Sequence, residues 1–171
     1  TVVDGKVQRG AHGHAGKIGH SLHQQGGPIC ECGRSGCLQA FYSEPAIVAR
    51  WQQTRAVEKN GSVDRYAMKE AALQGDQAAI SILQEAGTAI GIHLARMVDI
   101  VDPEIIIVGG EAVTFGDLLF DPMRKALDLY CFTQPPALVP DERDNFWSSG
   151  AAALATQGLF NFEMTTPAMT I

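Results

Sequence analysis

A chain of 171 residues is long enough to bury one full-sized core; 46% hydrophobic is ordinary for a globular domain and 19% charged is somewhat low. The formal net charge of −6, with lysines and arginines scattered, excludes the basic stripe that a nucleic-acid-gripping surface requires. No run of 18 apolar residues suggests a membrane partner and no signal peptide opens the chain. A reducing, cytoplasmic setting is therefore expected.

Thr1 to Gln8 reads as a hairpin, with Val2 and Val3 before the turn pair Asp4-Gly5 and Val7 after it. Gly10 to Gly27, rich in glycine and histidine, is a loop, and residues 28–38 hold the clustered cysteines. From Ser43 the pattern is helical: Ser43 as N-cap, Pro45 in the first turn, and Ile47, Val48 and Trp51 on one face. A second helix is expected from Ser62, its cap, to about Leu73, with Arg65 and Lys69 towards water. Asp76 then caps a long helix whose apolar positions include Ala79, Ile82, Leu83, Ala86, Ile90, Leu94, Met97 and Val98, ending before Pro103.

The run Glu104-Ile-Ile-Ile-Val108, closed by Gly109-Gly110, predicts a buried strand entering a tight turn. A helix follows at about 116–130, a short strand at Ala137 to Val139, and an alanine-rich helix suited to close packing at Ser148 to Phe160. A strand, glycine turn and helix after a long helix indicate an α/β domain. Trp51 and Trp147 are expected in the core or in subunit contacts, and the long helix is a candidate face for a second copy.

The chemistry concentrates at Cys30-x-Cys32-x4-Cys37, preceded by His12, His14, His20 and His23. Thiolates and imidazole are the ligands a tetrahedral zinc prefers, and Gly33 and Gly36 let the chain turn tightly enough for three sulfurs to converge. Neighbouring cysteines in Cys-x-Cys do not readily bridge each other, so a metal explains the spacing better than disulfides do. Cys131, in a predicted helix, reads as a small buried apolar residue, and His93 as an ordinary helix histidine. Three thiolates and one imidazole close the shell, which makes the site structural, with no open position for an activated water.

Gly19-His20, followed by Cys30-Glu-Cys-Gly-Arg-Ser-Gly-Cys-Leu38, resembles the signature of the ROK family (repressors, open reading frames and sugar kinases). The resemblance extends to Asp4 through Gly10, to Ala15 through His20, to Ile105 through Gly110 and to Ser149 through Ala153, so it spans nearly the whole chain. It selects His20 as the fourth zinc ligand and implies the actin-like, ribonuclease-H-like ATPase fold. Residues 1–171 would form most of the second lobe, with residues 20–37 as an inserted zinc loop. The first lobe, its phosphate-binding Asp-x-Gly-x-Thr motif, the catalytic aspartate and any DNA-binding domain would lie upstream of Thr1. The resemblance also places a sugar at Lys17, His20 and Gln39 and a nucleotide turn at Gly109, Gly110 and Glu111.

Three positions depart from the sugar kinases of that family. Lys17 and Gln39 stand where glutamates usually accept hydrogen bonds from sugar hydroxyls, and Glu111 stands where a third glycine is common. Lysine only donates, and a carboxylate beside a nucleotide turn repels phosphates. These departures favour the sugar-sensing, oligomerising part of a transcriptional regulator of the N-acetylglucosamine repressor type. The alternatives are an ATP- and Mg2+-dependent sugar kinase of altered specificity, and a ligand-free dimerisation scaffold. Lys17 also puts a cation where an acidic or phosphorylated sugar would find it.

Overall fold

The structure, a computed structural model, describes residues 1–55, 64–143 and 146–160. The hairpin forms as its turn dictates. β1 (Val2–Val3) pairs antiparallel with β2 (Lys6–Val7), with Val2 opposite Val7. Asp4 and Gly5 both take positive φ, 50° and 72°, the type I′ geometry whose twist matches that of the strands.

Four helices follow and contribute to the core. α1 (Leu38–Tyr42) and α2 (Glu44–Thr54) meet at Ser43, and α2 drives Ile47, Val48 and Trp51 inward. Ser43 holds the N-cap position without a side-chain hydrogen bond, leaving Pro45 to start the helix. α3 (Arg65–Leu73) is capped by Asp64, whose Oδ1 accepts the Tyr66 and Ala67 N–H groups; the expected start and cap at Ser62 lie outside the described residues. α4 (Gln77–Val101) is capped by Asp76 in the same way, through the N–H groups of Ala78 and Ala79. It ends as expected before Pro103, with Asp102 in the left-handed region at φ 48°.

α4 is long and apolar enough, by length and composition alone, to match a membrane span, but Ala79, Ile82, Leu83, Ala86, Leu94 and Val98 along it are buried in the core. Its chief neighbour is α5 (Asp117–Tyr130), which presents Leu119, Phe120, Met123, Ala126 and Leu127 to the core. Gly87 and Gly91, one turn apart on α4, let the two backbones meet. A Cβ on Gly87 would lie 2.3 Å from the Leu119 carbonyl oxygen, and one on Gly91 2.5 Å from that of Met123. Pro122, inside α5, packs its ring on Gly87.

Between α4 and α5, β3 (Ile105–Val108) leads through Gly109-Gly110 into a 3-10 turn (Glu111–Phe115). β4 (Ala137–Pro140) runs parallel to β3, with Ile106 opposite Leu138 and Ile107 opposite Val139. The expectation of a buried strand needs correction. Ile106 is 9% exposed, but Ile105 and Ile107 are 47% and 60% exposed. Alternate side chains point to opposite faces, and the described residues cover only one of them. α6 (Phe146–Phe160) departs from expectation too, because residues 147–156 are exposed rather than closely packed, Trp147 at 70%. Trp51, in contrast, is completely buried, as a core residue should be.

Candidate metal centre

The loop between the hairpin and α1 folds back on itself twice. Isolated bridges join Leu22 to Cys37 and Ile29 to Ser35. A tight turn is held by Cys30 N–H to the Arg34 carbonyl and by Gly33 N–H to that of Cys30, both 2.8 Å. Gly36 is indispensable to this path. Its φ is 81°, and a Cβ there would sit 1.8 Å from the carbonyl oxygen of Gln24.

The result brings His20, Cys30, Cys32 and Cys37 together, one potential ligand atom from each within 4.8 Å of every other. The Cys30 sulfur lies 3.5 Å from His20 Nδ1, and the Cys32 and Cys37 sulfurs are 3.6 Å apart. A tetrahedral ion with sulfur bonds of about 2.3 Å spaces its ligand atoms by about 3.8 Å, so the cluster fits a metal ion. Cys30 and Cys37 are buried and Cys32 is exposed. The Arg34 backbone and guanidinium lower the Cys32 pKa to about 6, which favours the thiolate a metal needs. Burial, together with the neighbouring cysteine sulfurs, raises that of Cys37 to about 11.

The remaining histidines divide as follows. His12 and His14 are exposed and outside the cluster. His93, on α4, is 5% exposed. Its Nδ1 lies 2.8 Å from Ser21 Oγ, and its Nε2 lies 3.4 Å from His23 Nδ1. Beyond His23, the Tyr42 hydroxyl lies 3.3 Å from its Nε2 and donates to Glu85 at 2.8 Å; Arg50 grips that carboxylate with two nitrogens. Sequence reasoning missed this chain of polar groups, because its members are scattered from Ser21 to His93. Cys131 is no ligand and not inside a helix: it is the half-buried C-cap of α5.

The other candidate residues lie at separate places. Lys17 precedes a 3-10 turn (Ile18–His20) and lines a cavity of about 390 Å³ with Ser21, His93, Arg96 and Ile100. Gln39, on α1, packs against Gly19 and donates through Nε2 to Glu31 at 2.8 Å. Glu31, between two cysteines, was not singled out in the sequence, although it sets a carboxylate beside Gln39. Past Gly109, Gly110 takes φ 97°, and Glu111 lines a cavity of about 410 Å³ with Arg65, Lys69, Asp141, Glu142, Arg143 and Trp147. Arg143 lies across Asp141 at 2.5 Å and lowers the pKa of its carboxyl, while Arg65 reaches Glu44 at 3.7 Å.

Known proteins resemble this chain over most of its length. The chain is 32% identical over 143 residues to a xylose repressor of Caldicellulosiruptor bescii, which covers 77% of this chain and 35% of the repressor. A ROK family glucokinase from Streptomyces griseus, solved with glucose and AMPPNP, superposes with a TM-score of 0.77 at 30% identity, covering 90% of this chain and 55% of that one. A ROK family transcriptional regulator, a homolog of the E. coli MLC protein, gives the same TM-score at 28% identity, covering 92% and 42%. The chain thus spans about a third to a half of these relatives, whose fold is the actin-like ATPase fold. The model described as "ROK family" matches residues 1–158, which carry the hairpin, the cysteine knuckle and the strand and glycine turn, and the chain belongs to the ROK family.

Proposed function

We propose that this chain is the effector-binding and oligomerising part of a ROK-family transcriptional regulator, held in shape by a structural zinc at His20, Cys30, Cys32 and Cys37. Three soft thiolates with one imidazole suit zinc, and a closed shell leaves no place for an activated water. In the complete protein, DNA would be bound by a domain outside this chain, in the cytoplasm. The chain itself would sense a sugar or sugar derivative at Lys17, His20 and Gln39. His20 engages the metal cluster through Nδ1, so a sugar hydroxyl would meet its other ring nitrogen.

The observation that carries this reading over a kinase is Glu111. It shares its cavity with Asp141 and Glu142, while two of the nearby cations, Arg143 and Arg65, are engaged by carboxylates of this chain. A triphosphate approaching Gly110 would meet acidic groups at close range, which costs binding energy in a partly enclosed site. The kinase reading is favoured by the Gly109-Gly110 turn and by the structural likeness to the glucokinase complex. In that reading ATP and Mg2+ would bind, and an upstream aspartate would act as base.

Full-length protein decides between the two. Operator DNA binding that a sugar weakens, without ATP-dependent sugar phosphorylation, is the expected result; sugar phosphorylation at the cost of ATP would overturn the regulator reading. For specificity, acidic or phosphorylated sugars should raise the melting temperature more than neutral ones, and Lys17→Glu should reverse that order. An unchanged order would remove Lys17 from the ligand site.

A further inference from the structure

The polar chain beneath the metal loop contains a counting problem. Its links run from the Ile18 carbonyl to Ser21 Oγ at 2.7 Å, and from Ser21 to His93 Nδ1 at 2.8 Å. They continue from His93 Nε2 to His23 Nδ1 at 3.4 Å, from His23 Nε2 to Tyr42 at 3.3 Å, and from Tyr42 to Glu85 at 2.8 Å. Both ends only accept: one is a carbonyl, the other a carboxylate. Five links need five protons, whereas one serine, one tyrosine and two neutral histidines bring four.

We propose that His23 and His93 together bind one proton beyond their neutral forms, and that this proton fastens the 18–23 turn of the metal loop to α4. With it, every link has a donor and an acceptor. His23 donates from both nitrogens, to His93 Nε2 and to the Tyr42 oxygen. His93 donates from Nδ1 to Ser21, Ser21 to the Ile18 carbonyl, and Tyr42 to Glu85. Without it, one link is empty. Two ring lone pairs then face each other at the His23–His93 contact, or Ser21 must give up the Ile18 carbonyl to serve His93.

The charged and titratable groups around the pair agree with this assignment. Arg50 from α2 first, and then Tyr42, lowers the pKa of Glu85, so that end of the chain stays ionised and supplies no proton. Burial, then Glu85, raises that of Tyr42 to about 12, so its hydroxyl keeps its proton. Burial, then Arg96 on the same helix, lowers that of His93. Lys17 lines the cavity that also reaches His93.

The test is long-range proton–nitrogen correlation on purified protein labelled with 15N-histidine. At pH 6 it should show two N–H groups on His23 and one, on Nδ1, for His93. Two neutral rings at that pH would overturn the proposal. Ser21→Ala and Tyr42→Phe shorten the chain from opposite ends, and either change lets neutral groups satisfy the links that remain. Each should therefore weaken the pair's proton affinity about tenfold, the scale of one hydrogen bond. A purely structural role for these hydroxyls would leave the titration midpoint where it is, and an unchanged midpoint in either variant refutes the inference.

Discussion

Trp51 Nε1 donates to Asp76 Oδ2 at 3.0 Å, while the other oxygen of the same carboxylate accepts the first N–H groups of α4. One side chain thus satisfies the only polar atom of a fully buried indole and caps the 25-residue α4. The Trp51 hydrogen bond and the cap N–H groups lower the pKa of Asp76, so its contribution is present above the ordinary carboxylate range and is lost as pH falls through the folded value. Asp76→Ala removes the cap and strands the indole N–H. It should cost about 2–3 kcal/mol, readable as a lower denaturation midpoint with an unchanged slope. A loss below half a kilocalorie would mean that α4 is capped by other means.

The α4–α5 contact makes a second, sterically driven prediction. In an exposed helix, Gly→Ala stabilises by about 1 kcal/mol. Here the added carbon meets backbone oxygens at 2.3 and 2.5 Å, which cannot rotate away. Gly87→Ala and Gly91→Ala should each destabilise by about 1–3 kcal/mol through forced separation of the helices. Thermal melts of the two variants check the sign.

Removal of one thiolate tests the metal loop. Cys32→Ser should abolish zinc binding, measured as metal content after dialysis. It should also free residues 20–40, measured as faster amide exchange there than in α4. A variant that melts like the parent and keeps its exchange pattern would show that the loop needs no metal.

Acid should act on His93 separately from the proton that its pair already holds. Its folded pKa is lowered by burial, so in the window below the ordinary value of about 6.5 the unfolded chain takes a proton that the folded one refuses. Stability therefore falls as pH drops through that window, before the carboxylates of Asp76 and Glu85 titrate. Melting temperatures should decline between about pH 6 and 5, and His93→Asn should flatten the decline.

The legible parts of the sequence were those with local causes. Asp4-Gly5 writes its own turn, Asp76 its own cap, and the cysteine spacing its own knuckle, so the hairpin, the start of α4 and the metal cluster follow from a few adjacent residues. The Asp64 cap was not read from the sequence, because serine and aspartate are both good caps and sequence alone does not rank them. The Ile105–Val108 run was read as buried because a β-branched run signals a strand without saying how many of its faces are covered, and the described residues cover one. The Ser21–His93–His23–Tyr42–Glu85 chain was illegible for a different reason. Each member is ordinary in its own segment and acquires meaning only when α4 passes under the loop.

The strand pair also bears on how the protein is handled. β3 hydrogen-bonds β4 on one side, and among the described residues nothing pairs its other edge, next to which Ile105 and Ile107 stand uncovered. An open edge beside bare isoleucines is a template for more strands. Preparations of this span alone should gather into soluble clusters or precipitate as concentration rises, and a longer version that roofs the isoleucines should stay dispersed.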